Sequence, residues 1–210
     1  SIVNWNIVGG IFLVLLASPI IGLLLGFVFT KIAYFFSQWC SSRAIPIFKR
    51  LQVGASVLLA LSHGTNDAQK TMGVITFSLA VLGLYHPTTG NLTIPRWVVL
   101  ACAGTIALGI LNGGWRVIKT LGVKLYRIRA VHGFSVQSAS AIIIYSAALF
   151  GFPVSTTQVV TSTIMGAGSA ERVKAVRWEV MREIVVTWVV TIPAVSILSI
   201  FFYLLISGLF

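Results

Sequence analysis

The chain has 210 residues, of which 57% are hydrophobic and only 9% carry a charged side chain. A soluble domain carries about 25% charged residues and needs a polar surface, so this composition excludes an ordinary soluble protein. The formal net charge of +11 does not indicate nucleic-acid binding, because the cations lie in blocks between apolar stretches, as they do in membrane proteins.

The first half of the chain predicts an all-α, polytopic membrane fold. A span is expected over 7–30, where Gly22 and Gly26 have the spacing that lets another helix approach closely. The next apolar stretch, 51–85, is too long for one straight span and too short for two with a loop. Its polar residues at 62–67 therefore predict a helix that is broken at its middle.

The second half repeats this design. A span is predicted over 97–114, and the apolar stretch 134–168 is interrupted by Gly, Pro and hydroxyl residues at 151–158. This interruption predicts a second broken or re-entrant helical hairpin. A last span covers 184–206, and we expect the whole chain, 1–210, to form a single transmembrane domain.

The positive charges predict the orientation. Thirteen of the 15 Lys and Arg residues lie in the three segments 31–50, 115–132 and 171–182. The positive-inside rule places all three segments on the cytoplasmic side. The predicted number of membrane crossings between these segments agrees with this orientation and places both chain ends outside the cell. The predicted location is a cell membrane, as a multi-pass protein of a prokaryotic inner or plasma membrane.

Each interruption carries residue types that are preferred at helix N-caps. Asn66 and Asp67 lie in the first, and Ser155, Thr156 and Thr157 lie in the second. Two helix N-termini inside a membrane would offer positive dipole ends and free N–H groups to an oxyanion. Carboxylate, amide and hydroxyl oxygens at the same depth suit sodium or protons. Discontinuous helices with both features are typical of the substrate sites of secondary transporters.

Several polar residues also have a structural interpretation. The Ser and Thr residues at 161–163 are interpreted as interhelical hydrogen-bonding groups, and His132 as a loop residue at the membrane surface. Asp67 is the only acidic residue before Glu171, and a charge inside a membrane is costly, so it marks an ion or substrate pathway. His63 has metal-ligand spacing to it, but no third ligand is nearby.

An enzyme is not expected. Cys40 and Cys102 are too few for a disulfide framework or a cysteine metal site. No nucleophile–base pair stands out, and the Gly-rich loop of nucleotide-driven proteins is lacking. We therefore predict no resident metal and no cofactor, apart from a co-transported proton or sodium.

Two motifs resemble those of a known family. The stretch 62–73, Ser-His-Gly-Thr-Asn-Asp-Ala-Gln-Lys-Thr-Met-Gly, resembles the Gly-Ala-Asn-Asp-Val-Ala-Asn signature of the PiT family of inorganic phosphate transporters. The stretch 151–158, Gly-Phe-Pro-Val-Ser-Thr-Thr-Gln, resembles that family's Pro-Val-Ser-Thr-Thr-His element. The resemblance covers essentially the whole chain, as the family's C-terminal half. It implies one half of an inverted-repeat transporter, and thus a fragment, a split subunit or a chain that pairs with a partner repeat.

The resemblance also directs attention to particular residues. We expect substrate binding by Thr65, Asn66, Asp67, Lys70, Ser155, Thr156 and Thr157, and cation binding by Asn66, Asp67 and Gln137. Three residues depart from the family pattern: Lys70 replaces the second Asn, Gln158 replaces His, and Gln137 stands where some members carry Glu. A fixed cation at 70 and a missing carboxylate at 137 favour fewer bound cations. Proton coupling or metal–phosphate symport is therefore preferred over strict multi-sodium coupling.

The predicted function is secondary transport of inorganic phosphate coupled to a proton or sodium, with the oxyanion held at helix N-termini near the membrane midplane. The alternatives are a sulfate permease of the same family and a non-transporting membrane subunit. Phosphate is favoured over sulfate because it can donate a hydrogen bond to a carboxylate such as Asp67. The expected partners are inorganic phosphate, membrane lipid, the second repeat half and a second copy in a homo-oligomer, but not nucleic acid.

Overall fold

The computed structural model describes residues 4–39, 44–85 and 93–207, and within these residues it contains helices but no strand. Cys40 and most of the loop before the third helix lie outside the described residues. The helices are α1 Trp5–Trp39, α2 Ala44–Val81, α3 Arg96–Lys119, α4 Ala130–Leu149, α5 Thr156–Glu171 and α6 Trp178–Ser207. A π-helical turn, Thr120–Leu125, follows α3, and a 3-10 turn, Val173–Ala175, precedes α6. The all-α prediction is confirmed.

Four of the described helices are long and apolar enough to cross a membrane: Trp5–Gln38, Ile45–Val81, Arg96–Leu125 and Trp178–Ser207. Large hydrophobic side chains are exposed along them, among them Leu13, Val74 and Leu111. Lipid tails can cover such a surface, whereas water cannot without a large hydrophobic penalty. The chain is a multi-pass membrane protein, as predicted.

The predicted break in the second apolar stretch is wrong. α2 continues through 62–67 as one unbroken helix. Its hydroxyl groups do not compete for the helical N–H groups, because they donate to carbonyls one turn back. Thr65 Oγ1 lies 2.6 Å from the Leu61 carbonyl, and Ser62 makes the equivalent bond. The residues at 62–67 are mostly of types that favour N-caps, but they lie inside a helix. Of the two predicted helix restarts, only the one at the start of α5 exists.

The predicted break in the later hairpin is confirmed. α4 ends at Leu149 and α5 begins at Thr156. Between them Gly151 has a φ of +71°, a conformation that glycine adopts without a steric penalty. Ser155 is the N-cap of α5, since its Oγ accepts a hydrogen bond from the Gln158 N–H at 3.4 Å. A re-entrant path of this hairpin through the membrane stays a prediction.

Glycines bring α1 and α5 into backbone contact. A Cβ atom placed on Gly26 would lie 2.3 Å from the Thr163 carbonyl oxygen. One placed on Gly166 would lie 2.0 Å from the Leu23 carbonyl oxygen. The spacing of Gly22 and Gly26 thus permits the close helix approach that it predicts.

Two of the three hydroxyl residues at 161–163, Thr161 and Thr163, do not act as predicted, and the prediction for Ser162 stays a prediction. Thr163 Oγ1 donates to the Val159 carbonyl of its own helix at 2.6 Å. The buried Thr161 Oγ1 has no hydrogen-bond partner in the described part of the chain. Interhelical hydrogen bonding is therefore wrong for these two threonines, because the glycine contacts already bring the backbones together and leave small side chains to fill the space.

The chain divides into two compact units, Ser1–Val176 and Arg177–Phe210. The first contains α1 to α5, and the second consists of α6. α6 remains helical across Pro193, and none of its residues is buried. The prediction of a single transmembrane domain over 1–210 stays a prediction.

Candidate functional site

The polar residues of α2 meet the connection between α4 and α5. The Asn66 side chain is buried, and its Nδ2 donates to the Val154 carbonyl at 3.1 Å. Lys70 lies one turn further on the same face of α2, and its Nζ donates to the same carbonyl at 2.6 Å. The helix break frees this carbonyl from intrahelical bonding. The Val154 carbonyl therefore joins the α4–α5 connection to α2 through these two hydrogen bonds.

Asp67 lies at the centre of this contact. Its Oδ2 lies 3.0 Å from His63 Nε2 and accepts a hydrogen bond from Thr156 Oγ1 at 3.4 Å. Its Oδ1 accepts from Asn66 Nδ2 at 3.1 Å and lies 3.5 Å from Lys70 Nζ. These donors stabilise a carboxylate among apolar helices. The side chain is still 36% exposed, so a ligand can reach it.

The N-terminus of α5 completes the cluster. Thr156 is the first residue of α5 and contacts Asp67 through its hydroxyl. The N–H groups of a first helical turn have no acceptor in their own helix and carry a partial positive charge. A helix N-terminus and the Lys70 ammonium therefore lie beside one carboxylate. This arrangement can hold a protonated oxyanion, with the carboxylate accepting its hydrogen bond.

Two cavities flank the contact between Asp67 and Thr156. The first, of 440 Å³, is lined by Asp67, Lys70 and residues of the α4–α5 connection. The second, of 460 Å³, is lined by His63, Gln137 and Thr156, together with apolar residues of α3 and α4. Thr156 lines both cavities, so the cluster around Asp67 forms part of the wall between them.

The structure brings five of the predicted site residues together: Asn66, Asp67, Lys70, Ser155 and Thr156. Thr157 and Gln137 line the second cavity instead. The buried Gln137 Oε1 has no hydrogen-bond partner among the described residues. Thr65 is exposed and bonds only within α2. It therefore lies apart from the cluster.

His63 belongs to the cluster although the sequence pattern does not single it out as a binding residue. Its Nε2 lies 3.3 Å from Thr156 Oγ1 as well as beside Asp67, so it links α2 to α5. The available signal was its spacing of four residues from Asp67, which puts both on one helix face. Among the described residues, no group of three or more His, Cys, Asp or Glu side chains is placed to hold a metal ion.

Comparison with known proteins decides the family. Residues 1–199 match the model of the phosphate transporter family, PHO4. The chain belongs to the phosphate transporter family. This family is defined by transport and not by enzymatic activity, in agreement with the prediction.

Curated relatives in the family support the assignment. One is a protein of Bacillus subtilis named "Probable low-affinity inorganic phosphate transporter", 40% identical over 93% of this chain and 58% of its own length. Another, with the same name, comes from Rhizobium meliloti and is 40% identical over 83% of this chain and 53% of its own. A Mycobacterium bovis relative is 44% identical over 74% of this chain and 37% of its own. The chain thus spans about half the length of the family relatives it matches.

A solved structure shows the same fold. It is titled "The sodium-dependent phosphate transporter" and superposes with a TM-score of 0.73 over 90% of this chain and 64% of its own. The two sequences are 23% identical, so the likeness shows the fold of this family and does not transfer the ion that the other protein uses.

This family member has a second polar cluster where α4 begins and α5 ends. His132 is the third residue of α4 and is only 1% exposed, so its prediction as a loop residue is wrong. The Arg129 backbone N–H donates to its Nδ1 at 3.3 Å, which leaves the hydrogen of a neutral ring on Nε2. The Tyr34 hydroxyl lies 2.7 Å from that Nε2. Burial lowers the pKa of His132, which favours the neutral ring.

Glu171 is the acidic member of this second cluster. The Tyr126 hydroxyl donates to one carboxylate oxygen and the Arg129 guanidinium to the other. The hydrogen bond from Tyr126 is the main reason that the pKa of Glu171 is lowered, and the charge of Arg129 lowers it further. Burial raises the pKa of Tyr126, so its hydroxyl keeps the proton that it donates.

The lowered pKa of Glu171 predicts a pH-dependent contribution to stability. A group with a depressed folded pKa stabilises the protein above its ordinary pKa, here 4.5, and this stabilisation is lost as the pH falls through the folded value. We expect Glu171→Gln to lower the thermal unfolding temperature at pH 7 in detergent, and the difference from the unchanged protein to shrink below pH 4.5. Glu179→Gln removes an exposed carboxylate and should show no such trend. A difference that stays constant with pH would contradict the prediction.

Proposed function

We propose that this chain forms one half of a cation-coupled transporter of inorganic phosphate. The observation that carries the proposal is the convergence of Asn66, Asp67 and Lys70 on the N-terminus of α5. The relatives that are named as inorganic phosphate transporters support phosphate as the substrate. Because those relatives are longer than this chain, a second repeat half would supply the rest of the phosphate site.

In the proposed site the phosphate oxygens bind the Lys70 ammonium and the first-turn N–H groups of α5. Ammonium groups and helix N-termini are both established binders of phosphate. Ser155 Oγ accepts from the Gln158 N–H and keeps its own hydroxyl proton to donate to the phosphate. Thr156 donates to Asp67 and so orients the carboxylate, whereas Thr157 lines the second cavity. Asp67 accepts a hydrogen bond from a protonated phosphate oxygen. Sulfate at neutral pH has no such proton, so this contact selects phosphate over sulfate.

The proposed cation site uses oxygen atoms on both sides of the cluster. Asn66 and Asp67 supply an amide and a carboxylate, both of them hard ligands. Gln137 lines the second cavity, and its buried Oε1 lacks a partner among the described residues. An unsatisfied buried oxygen is costly, which supports a role in contacting a passing cation or its water. Thr65 lies apart from these groups and is left out of the proposed site.

Lys70 supports proton coupling over strict multi-sodium coupling. Its Nζ lies 3.5 Å from Asp67 Oδ1, so a fixed positive charge already neutralises the carboxylate that a sodium ion would otherwise need to balance. A bound sodium beside this ammonium would suffer like-charge repulsion.

Uptake into proteoliposomes tests this function. The transporter that contains this chain, with its second repeat half, is reconstituted, and uptake of labelled phosphate is followed under separate proton and sodium gradients. We expect an inward proton gradient to drive uptake, a sodium gradient alone to add little, and excess sulfate not to compete. Uptake that depends steeply on sodium and ignores the pH gradient would contradict proton coupling, whereas the lack of any phosphate uptake would contradict the function itself.

A further inference from the structure

An arginine-rich pocket lies next to the second polar cluster. It has a volume of 620 Å³ and is lined by Tyr126, Arg127, Arg129, Glu171 and Arg172. None of these residues belongs to the cluster around Asp67, so the pocket is a separate site. It lies within two of the cation-rich segments, 115–132 and 171–182, that the positive-inside rule assigns to the cytoplasmic side.

The local backbone explains why three guanidinium groups share this pocket. Tyr126 and Arg129 bound the segment between the π-helical turn and α4, and both are extended, with φ and ψ of −154° and 136° and of −101° and 169°. This short non-helical segment carries Arg127 and Arg129, and both residues line the pocket. Arg172 ends α5 in an extended conformation and joins them from the second segment.

The charges of the pocket are not balanced. Arg129 pairs with Glu171, and the Glu171 carboxylate is held in addition by the Tyr126 hydroxyl. Arg127 and Arg172 have no carboxylate partner in the described part of the chain. Three guanidinium groups against one carboxylate leave a net positive charge. The positive-inside rule alone requires cations in these segments, but it does not require three arginines to line one pocket.

We propose that this pocket binds a phosphate group, either as free inorganic phosphate or as the phosphodiester of an anionic lipid headgroup. The planar guanidinium matches a phosphate with two parallel hydrogen bonds, which the ammonium of lysine cannot do. Arg127 and Arg172 are exposed and available for such bonds. Basic pockets on the cytoplasmic side of membrane proteins bind the headgroups of anionic lipids by this chemistry.

The test compares two double variants of the full transporter. Arg127→Gln with Arg172→Gln removes the two unpaired guanidinium groups of the pocket. Lys119→Gln with Lys124→Gln removes the same charge from the neighbouring segment, outside the pocket lining. Both pairs leave Asp67, Lys70 and the N-terminus of α5 unchanged, so phosphate bound at the transport site contributes equally to the two variants and cancels in their comparison. Size-exclusion chromatography confirms that each variant remains folded.

Two measurements distinguish the sources of phosphate. In the first, native mass spectrometry compares retention of phosphatidylglycerol with that of phosphatidylcholine. In the second, inorganic phosphate is titrated onto protein that carries phosphatidylcholine alone. We expect the arginine variant to bind at least one of the two ligands about tenfold more weakly, and the lysine variant to bind both normally. Unchanged binding in both measurements, or an equal loss in the lysine variant, would overturn the proposal.

Discussion

Asp67→Asn is expected to reduce phosphate uptake about 100-fold, a loss of about 2.7 kcal/mol in transition-state stabilisation. The carboxylate is surrounded by donors, and an amide in its place would present an N–H group to at least one of them. It would also leave the Lys70 ammonium without its counter-charge and would accept the hydrogen bond of a protonated phosphate more weakly than a carboxylate does. The measurement is the initial rate of labelled phosphate uptake in proteoliposomes that contain equal amounts of folded protein.

The matched control removes a carboxylate elsewhere. Glu183→Gln changes the net charge by the same amount at an exposed position in α6 and should leave uptake within about twofold of the unchanged protein. If Asp67→Asn also transports at the full rate, Asp67 is a structural residue and a non-transporting membrane subunit becomes the better interpretation of the chain.

Gly166→Val is expected to destabilise the protein by about 3 kcal/mol or to prevent folding, the upper range for overpacking a core. A Cβ on Gly166 would lie 2.0 Å from the Leu23 carbonyl oxygen and 2.8 Å from the Phe27 backbone nitrogen. Both atoms are backbone, so no side-chain rotation relieves the clash and α1 must separate from α5. Thermal unfolding in detergent and the monodispersity of the purified protein measure the effect.

The matched control for this prediction is Gly73→Ala. An added Cβ on Gly73 meets no atom within 4 Å, and alanine favours helix over glycine by up to about 1 kcal/mol. We expect this variant to be as stable as the unchanged protein or slightly more stable. A Gly166→Val protein with an unchanged unfolding temperature would show that α1 and α5 do not pack by backbone contact.

The helical membrane fold was predictable because composition alone imposes it. The break before α5 was predictable as well, since Gly151 and Pro153 act on the local backbone. The supposed break in α2 had no such residue. Its polar groups bond backward within the helix or across to Val154, a partner more than 80 residues away in sequence. Local sequence cannot show whether a distant carbonyl will satisfy a polar group and let its helix continue.

The candidate site was predictable in its residue types and less so in its arrangement. Asn66, Asp67 and Thr156 come together as the paired motifs suggest, because α2 packs against the hairpin. The place of His63 depends on how α2 is rotated about its axis, which short spacing alone does not determine. The second cavity, which Gln137 lines, is enclosed by residues of α2, α3, α4, α5 and the turn after α3, and no local signal predicts that such distant segments share one space.

The hydrogen bonds to the Val154 carbonyl restrict how the tip of the hairpin can move along α2. This one carbonyl accepts hydrogen bonds from two side chains on successive turns of α2, Asn66 at 3.1 Å and Lys70 at 2.6 Å. The tip of the hairpin cannot slide along α2 by one residue and keep both bonds, because the donors are spaced a full turn apart. Displacement of the tip along α2 therefore breaks at least one of the two bonds, so the pair opposes sliding of the hairpin along the helix.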